Sequence, residues 1–190
     1  MILSKPILDM LDDRDIDPNV LRAFIAVESG GRGFAENGKL IIQFEPTWFK
    51  RKAPYAPSGK WSLNKIERQS AEWEAFNDAF KIDPNAAMES TSIGLPQIMG
   101  FHYKRLGFDT VGKMWDFFKV SEQNQIECLV VFLCTDQRLY KAVINKDWHM
   151  MAYIYNGAGY AAQAYRLGIK PYNVQMKEHY ERLNSGNIKT

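Results

Sequence analysis

The chain has 190 residues, of which 46% are hydrophobic and 24% are charged. These proportions are typical of a globular protein and exclude a disordered or fibrous one. The 24 Lys and Arg residues nearly balance the 22 Asp and Glu residues, and the two signs are interleaved, so we expect no nucleic-acid-binding face. The longest apolar run covers only residues 128–134, and we expect no membrane insertion.

The N-terminal segment and the cysteines indicate a protein made in a reducing compartment. Acidic residues from position 9 onward interrupt the first apolar stretch before a secretory signal could form. Cys128 and Cys134 lie six residues apart in one predicted helix and face different sides of it, so they cannot bond to each other. Free thiols suit the cytosol, where we expect synthesis.

The first strong pattern predicts a helix that ends at a glycine pair. Asp17 and Pro18 are residue types favoured at the N-cap and the first helical position. Apolar residues follow at steps of three and four as far as Ile25, and the glycines at 30–31 end the helix.

A small β signal follows, and the rest of the chain has helical periodicity. The Asn-Gly dipeptide at 37–38 favours a tight turn, and residues 40–45 alternate in polarity, which predicts a hairpin or a small three-stranded sheet. Ser121 caps a helix that is apolar on nearly every side over 126–133, so we expect it to be the buried central helix. Other helices are predicted at 71–82, 84–88, 147–155, 159–167 and 171–183. We therefore expect a single mainly-α (α+β) domain over 1–190.

Glu28 is the most informative side chain in the sequence. It follows Phe24 by four residues and Ile25 by three, so it lies on the apolar stripe of the first strong helix. Burial there raises the pKa of a carboxyl group, and a general acid must hold its proton near neutral pH. The alternative is a glutamate at a frayed helix end with its carboxylate in water.

Two further segments carry polar side chains that suit a sugar ligand. Gln97 lies in the apolar, Gly-flanked stretch that begins at Ser92, and its amide can bind hydroxyl or acetamido groups. The alternative is that Gln97 only fixes the backbone there. Tyr155 and Asn156 precede glycines that keep the backbone bare beside a cleft. Their alternative is a helix C-cap with an aromatic core residue.

These segments together resemble the N-acetylmuramidase domain of bacteriophage endolysins, in the superfamily of lysozymes and soluble lytic transglycosylases. The resemblance covers residues 17–183. Two positions depart from the family pattern: Pro96 stands where an aromatic residue or Met is more usual, and Thr47 where His often follows Phe-Glu. The matching stretches are Val-Glu-Ser-Gly-Gly-Arg-Gly-Phe at 27–34, Phe-Glu at 44–45, Gln-Ile-Met-Gly-Phe at 97–101 and Tyr-Asn-Gly-Ala-Gly-Tyr at 155–160.

The resemblance implies a lysozyme-like fold and an enzyme that cleaves the β-1,4 bond between N-acetylmuramic acid and N-acetylglucosamine in peptidoglycan. Glu28 matches the acid that protonates the glycosidic oxygen. The expected substrate-binding residues are Ser92, Gln97, Tyr155 and Asn156. We expect a monomer without cofactor, metal or a separate wall-binding domain. It would be made in the host cytoplasm and would reach the periplasm and the wall through a holin-type pore.

A second carboxylate decides how the reaction is completed. An inverting hydrolase places it roughly 6.5–9.5 Å from the acid, with water between the two. Glu45 is the best candidate because it ends the predicted strand on the face opposite Phe44, whereas Glu36 adjoins the turn and should be solvated. The alternative is an exposed charge at a strand end. In that case a lytic transglycosylase with a 1,6-anhydro product is favoured. The alternative of another class is a non-catalytic peptidoglycan-binding or virion-structural module.

Overall fold

A computed structural model describes residues 2–63 and 68–186. Over that part of the chain there are eleven α-helices and one three-stranded sheet, which confirms the mainly-α class. The chain packs into two compact units, Met1–Gly31 with Glu127–Thr190 and Arg32–Ile126. That the two units constitute one domain stays a prediction. Within the described ranges, no helix combines the length and apolar character that a bilayer crossing needs.

The first unit begins with α1 (Lys5–Asp12) and α2 (Pro18–Ser29). The predicted ends of α2 are confirmed: the Asp17 carboxylate accepts a hydrogen bond from the Asn19 amide at 2.8 Å, and Gly30 terminates the helix at φ 62°. The predicted apolar stripe is buried, as expected from its spacing, through Val20, Leu21, Ala23, Phe24 and Ile25.

The second unit contains the sheet and most of the short helices. In chain order its elements are β1 (Ile42–Phe44), α3 (Pro46–Lys52), α4 (Gln69–Ile82), α5 (Pro84–Glu89), β2 (Thr91–Ile93), β3 (Ile98–Met99) and α6 (Val111–Val120). Single 3-10 turns cover Lys60–Ser62 and Gly100–His102. The helices predicted at 71–82 and 84–88 are confirmed as α4 and α5, whereas α3 has no counterpart in the prediction.

The sheet lies where a β signal was predicted, but its strands pair differently from a local hairpin. The turn at 37–38 closes only a single bridge between Phe34 and Leu40. The antiparallel partner of β1 is β2, with Ile42 opposite Ile93, and β3 pairs with the far side of β2. Strands of two and three residues carry too little alternation to reveal this long-range pairing in the sequence.

Side chains of α4 cover the open edge of β1. The Gln69 amide accepts a hydrogen bond from the Ile42 N–H at 2.9 Å and donates one to the Ile42 carbonyl at 2.8 Å. The buried Glu72 carboxylate accepts from the Phe44 N–H at 2.7 Å. These two side chains act as a substitute strand, because backbone groups that are removed from water need partners.

The remaining elements return the chain to the first unit. The helix predicted to be buried is α7 (Glu122–Cys134), capped by Ser121, whose hydroxyl accepts from the Asn124 N–H at 3.2 Å. It carries the fully buried side chains of Ile126, Leu129, Val130 and Leu133, as predicted. Three of the helices that follow were predicted, and one, α8, was not. They are α8 (Gln137–Ile144), α9 (Trp148–Asn156), α10 (Tyr160–Leu167) and α11 (Tyr172–Ser185).

A buried amide at the start of α7 organises the second unit. The Gln125 side chain accepts a hydrogen bond from the Leu95 N–H at 2.8 Å and donates one to the Phe118 carbonyl at 2.9 Å. Gly33 and Gly94 both approach this amide so closely that an added Cβ would lie 2.1 and 2.6 Å from its oxygen. Because the amide is held at both ends, it cannot move aside for a larger residue.

This crowding predicts different outcomes for two alanine substitutions. Gly38 and Gly94 have similar backbone angles, φ 76° and 69°, but only Gly38 has open space at the Cβ position. We expect Gly38→Ala to lower the free energy of unfolding by about 1 kcal/mol through backbone strain alone. Gly94→Ala should lower it by about 3 kcal/mol, because overpacking against Gln125 adds to the same strain. Guanidinium denaturation measures both, and equal losses would contradict the role of Gln125.

Candidate active site

Glu28 lies in the last turn of α2, directly before the glycine pair that ends the helix. Its side chain is half-buried, and its Oε1 accepts a short hydrogen bond from the hydroxyl of Tyr172. Tyr172 is the first residue of α11, a helix that packs against α2 within the first unit. The packing of two helices far apart in sequence therefore fixes the carboxyl group.

An aromatic cluster adjoins this pair. Phe24 lies one helical turn before Glu28 and contacts both Tyr155, at 4.4 Å between ring centroids, and Tyr172, at 6.1 Å. Phe132 of α7 contacts Tyr155 at 5.4 Å. The rings meet edge to face, which is a favoured aromatic geometry. The Glu28–Tyr172 pair is thus joined to an aromatic cluster through the Tyr172 ring.

The environment changes the proton affinity of Glu28 strongly. Burial raises the pKa of Glu28 from its ordinary 4.5 to about 7, and the hydrogen bond from Tyr172 opposes part of that rise. The pKa of the Tyr172 hydroxyl is raised well above 10 by burial and by the charge on Glu28. Tyr172 therefore stays a hydrogen-bond donor at every working pH, while Glu28 can hold or release its proton near neutrality.

Tyr155 and Asn156 occupy the end of α9, as predicted. The Tyr155 ring packs into the aromatic cluster, which fits the alternative interpretation of Tyr155 as an aromatic core residue. Asn156 is the last residue of α9 and is exposed, and Gly157 follows it at φ 92°. Of these two side chains, the amide of Asn156 is the one fully open to a ligand.

Ser92 and Gln97 lie in the second unit and bond to each other. The Gln97 amide donates to the Gly94 carbonyl at 2.7 Å and accepts from the Ser92 hydroxyl at 3.0 Å, with a longer contact of 3.4 Å to the Ile41 carbonyl. Gln97 also has a positive φ of 50°. The geometry fits the simpler interpretation, in which Gln97 fixes the turn between β2 and β3. Among the described residues, Ser92 is the donor recorded for its amide oxygen, which has a second acceptor lone pair.

Glu45 is half-buried at the point where β1 ends and α3 begins. Burial raises the pKa of its carboxyl group above 4.5, and the exposed Gln43 amide donates to Oε1 at 3.2 Å. The charge of Glu45 in turn raises the pKa of Glu72, whose own burial is the larger cause. Glu45 is therefore neither a fully solvated strand-end charge nor, among the described residues, a member of an ion pair.

The predicted site residues fall into two groups, one in each unit. The first unit brings Glu28 and Tyr155 to the same aromatic cluster, with Asn156 next to it in sequence, and the second unit holds Glu45, Ser92 and Gln97. Sequence reasoning missed three residues that position them: Tyr172, Glu72 and Gln125. A signal existed for Gln125, whose amide directly precedes the apolar part of α7, but the two others depend on contacts distant in sequence.

Comparison with known proteins identifies the family of the chain. Residues 17–184 match the family model of the N-acetylmuramidases. The chain belongs to the N-acetylmuramidase family. The structure of this muramidase is similar to the crystal structure of the Burkholderia AP3 phage endolysin, with a TM-score of 0.78 and 30% sequence identity, over 95% of this chain and 70% of that one. No curated protein sequence gives a significant match.

These findings place the muramidase among the glycoside hydrolases that degrade peptidoglycan, as a phage endolysin with a lysozyme-like, mainly-α fold. A lytic transglycosylase and a non-catalytic module are not favoured.

The raised pKa of Glu28 predicts a pH-dependent effect of Glu28→Gln on stability. Between pH 4.5 and 7 the folded muramidase holds a proton that the unfolded chain releases, so the contribution of Glu28 to stability falls as the pH rises through that window. The substitution removes this penalty. We expect it to raise the free energy of unfolding, and the gain to be larger by about 2 kcal/mol near pH 8 than near pH 5.

Denaturant titrations at the two pH values measure this difference. The exposed Glu36 provides the matched control, because Glu36→Gln makes the same chemical change in open solvent. A gain from Glu28→Gln that is the same at both pH values would show that the carboxyl group titrates normally.

Proposed function

We propose that Glu28 is the general acid that protonates the glycosidic oxygen between N-acetylmuramic acid and N-acetylglucosamine. The observation that carries the proposal is the Glu28 carboxyl group, held by Tyr172 in an aromatic cluster, with a pKa raised to about 7. A carboxylic acid with this pKa is still about half protonated at neutral pH and is strong enough to donate. The family membership of the chain gives this group a β-1,4-linked glycan as its partner.

Tyr172 acts as a positioning residue for this acid. Its hydroxyl donates to Oε1, so the carboxyl group is held in one orientation. The same hydrogen bond becomes stronger when Glu28 has given up its proton, since the acceptor is then charged. Tyr172 therefore stabilises the carboxylate that forms when the glycosidic bond breaks. This interaction offsets part of the cost of leaving a charge in an apolar environment.

Glu45 is the proposed base. In an inverting hydrolysis, the proton of Glu28 goes to the leaving sugar hydroxyl, a water oxygen bonds to the anomeric carbon, and the second carboxylate takes a proton from that water. The position of Glu45 supports this role, because it is half-buried and accepts a hydrogen bond from only one described side chain, that of Gln43. A second oxygen of the carboxylate is then available to water.

The remaining predicted residues are proposed to hold the glycan. The exposed amide of Asn156 suits an acetamido or hydroxyl group of a sugar. Tyr155 supplies an aromatic surface within the same cluster as Glu28. Ser92 and Gln97 hold the turn between β2 and β3, and the spare acceptor of Gln97 is the group we assign to substrate.

The cellular route belongs to the same proposal. We propose that the muramidase acts as a monomer, is made in the host cytoplasm, and reaches the periplasm through a holin-type pore formed by another protein. The proposal is supported by the two cysteines, which are free thiols and suit synthesis in a reducing compartment.

Glu28→Gln tests the acid directly. The amide keeps the size of the side chain and still accepts from Tyr172 but has no proton to donate, so we expect lysis of outer-membrane-permeabilised Gram-negative cells to slow by a factor of about 10²–10⁴. Activity of the parent should decline above about pH 7, as Glu28 loses its proton. The rate of turbidity loss is the measurement, and Glu36→Gln is the control that should match the parent. Equal lysis by Glu28→Gln and the parent would remove Glu28 from the mechanism.

Glu45→Gln tests the base and the nature of the product. We expect the rate of hydrolysis to fall by a factor of about 10²–10⁴, because the attacking water loses its proton acceptor. Mass spectrometry of digested sacculi should show reducing-end muramic acid from the parent. If Glu45→Gln keeps the parent rate, or if the parent releases 1,6-anhydro-muramic acid, the assignment of Glu45 as the base is wrong.

A further inference from the structure

An exposed cation lies over an exposed aromatic ring on α3, the helix whose N-cap is Glu45. Trp48 of α3 is 39% exposed, and the guanidinium carbon of Arg51 lies 5.2 Å from the centroid of its ring. The Trp48 ring also contacts the ring of Phe101, at 4.9 Å between centroids. A large apolar surface and a fixed charge are thus presented to solvent side by side.

The three consecutive cations at the end of α3 differ in their hydrogen-bond and ion-pair partners. Lys50 donates to the carbonyls of Pro54 and Ala56, each at 3.0 Å. Lys52 pairs with Glu89 at 2.5 Å. Arg51 is exposed, and in the described ranges no carboxylate lies within ion-pair distance of it. Of the three cations, Arg51 is therefore the one without a carboxylate or carbonyl partner among the described residues, and it can bind an anion from outside the chain.

The Arg51 guanidinium suits a carboxylate, because its planar set of N–H donors matches the two carboxylate oxygens. Its contact with the Trp48 ring limits the motion of the Arg51 side chain, so less conformational entropy is lost on binding. Beside Arg51 lies a shallow groove of about 400 Å³, lined by Pro46, Thr47, Lys50, Arg51, Trp61 and Ser62.

The position of the cation along α3 relates it to the substrate. Glu45 is the N-cap of α3, Trp48 follows it by three residues, and Arg51 follows Trp48 by three, so each successive pair shares a helix face. The rise of a helix places Arg51 about 9 Å beyond Glu45 along the axis. That distance is similar to the length of one two-sugar repeat of peptidoglycan. The muramic acid in each repeat carries a peptide with free carboxylates.

We propose that Arg51 and Trp48 form a subsite for the anionic peptide stem of peptidoglycan. Arg51 binds a carboxylate of the stem, and Trp48 packs against the part of the peptide next to that carboxylate. The link between this subsite and the bound glycan rests on the proposed function, in which Glu45 acts on the substrate. The binding chemistry of Arg51 and Trp48 rests only on the described residues of the second unit. With this subsite, the muramidase binds the peptide stem as well as the sugars.

Binding to insoluble sacculi tests the subsite separately from catalysis. The variants are made in a Glu28→Gln background and incubated on ice, so that the comparison stands whether or not Glu28 is the acid. One set of sacculi is intact. The other consists of the glycan strands that an amidase releases from sacculi, fixed to beads, and is called stem-free sacculi below. We expect Arg51→Gln to weaken binding to intact sacculi about fivefold and to leave binding to stem-free sacculi unchanged.

Arg166→Gln is the matched control. Arg166 is likewise an exposed arginine in the last turn of a short helix, α10, so the substitution makes the same change in net charge and at a helix end. We expect it to bind both kinds of sacculi as the parent does. The proposal is overturned if Arg51→Gln binds intact sacculi normally, if it loses equal affinity for stem-free sacculi, or if Arg166→Gln shows the same loss.

A competition experiment covers the case in which Arg51→Gln folds poorly. A soluble stem tetrapeptide should displace the otherwise unaltered Glu28→Gln protein from intact sacculi, whereas the same peptide with amidated carboxyl groups should not. Equal competition by the two peptides would overturn the proposal, because it would exclude the carboxylate as the recognised group.

Discussion

The hydrogen bond between Glu28 and Tyr172, inside a cluster of aromatic rings, is the interaction on which the active site depends. Burial among these rings opposes ionisation of the carboxyl group, and the tyrosine hydroxyl limits how far that effect goes. The balance leaves the pKa of Glu28 at about 7. A stronger donor or a nearby cation would return it to the range of an ordinary glutamate, and the group could not hold its proton in neutral solution.

In the second unit, side-chain hydrogen bonds stabilise very short strands. Side chains of Gln69 and Glu72 satisfy the free edge of β1, and the amide of Gln125 ties the turn after β2 to the end of α6. Polar side chains thus form the hydrogen bonds that the backbone of longer strands would form. The turn that carries Gln97 and the helix start that carries Glu45 are both fixed in this way.

The sequence predicted the features that depend on local patterns and missed those that depend on distant contacts. The ends of α2, the burial of α7 and the position of Glu28 on an apolar stripe all follow from residue types within one turn of each other. Tyr172 is 144 residues away from Glu28, and only the packing of α11 on α2 reveals it. The pairing of β1 with β2 was missed for the same reason. Gln97 was predicted to face a sugar, yet most of its hydrogen bonds go to its own turn.

The most direct test of this account is the ionisation of Glu28 itself. Titration of the protein with ¹³C-labelled glutamate carboxyl groups, followed by NMR, reports each glutamate separately, and the resonance absent from Glu28→Gln identifies the group. The account predicts that this resonance titrates with a pKa of about 7. A midpoint near the ordinary value of 4.5 would contradict it, because Glu28 would then be ionised at neutral pH and have no proton to give.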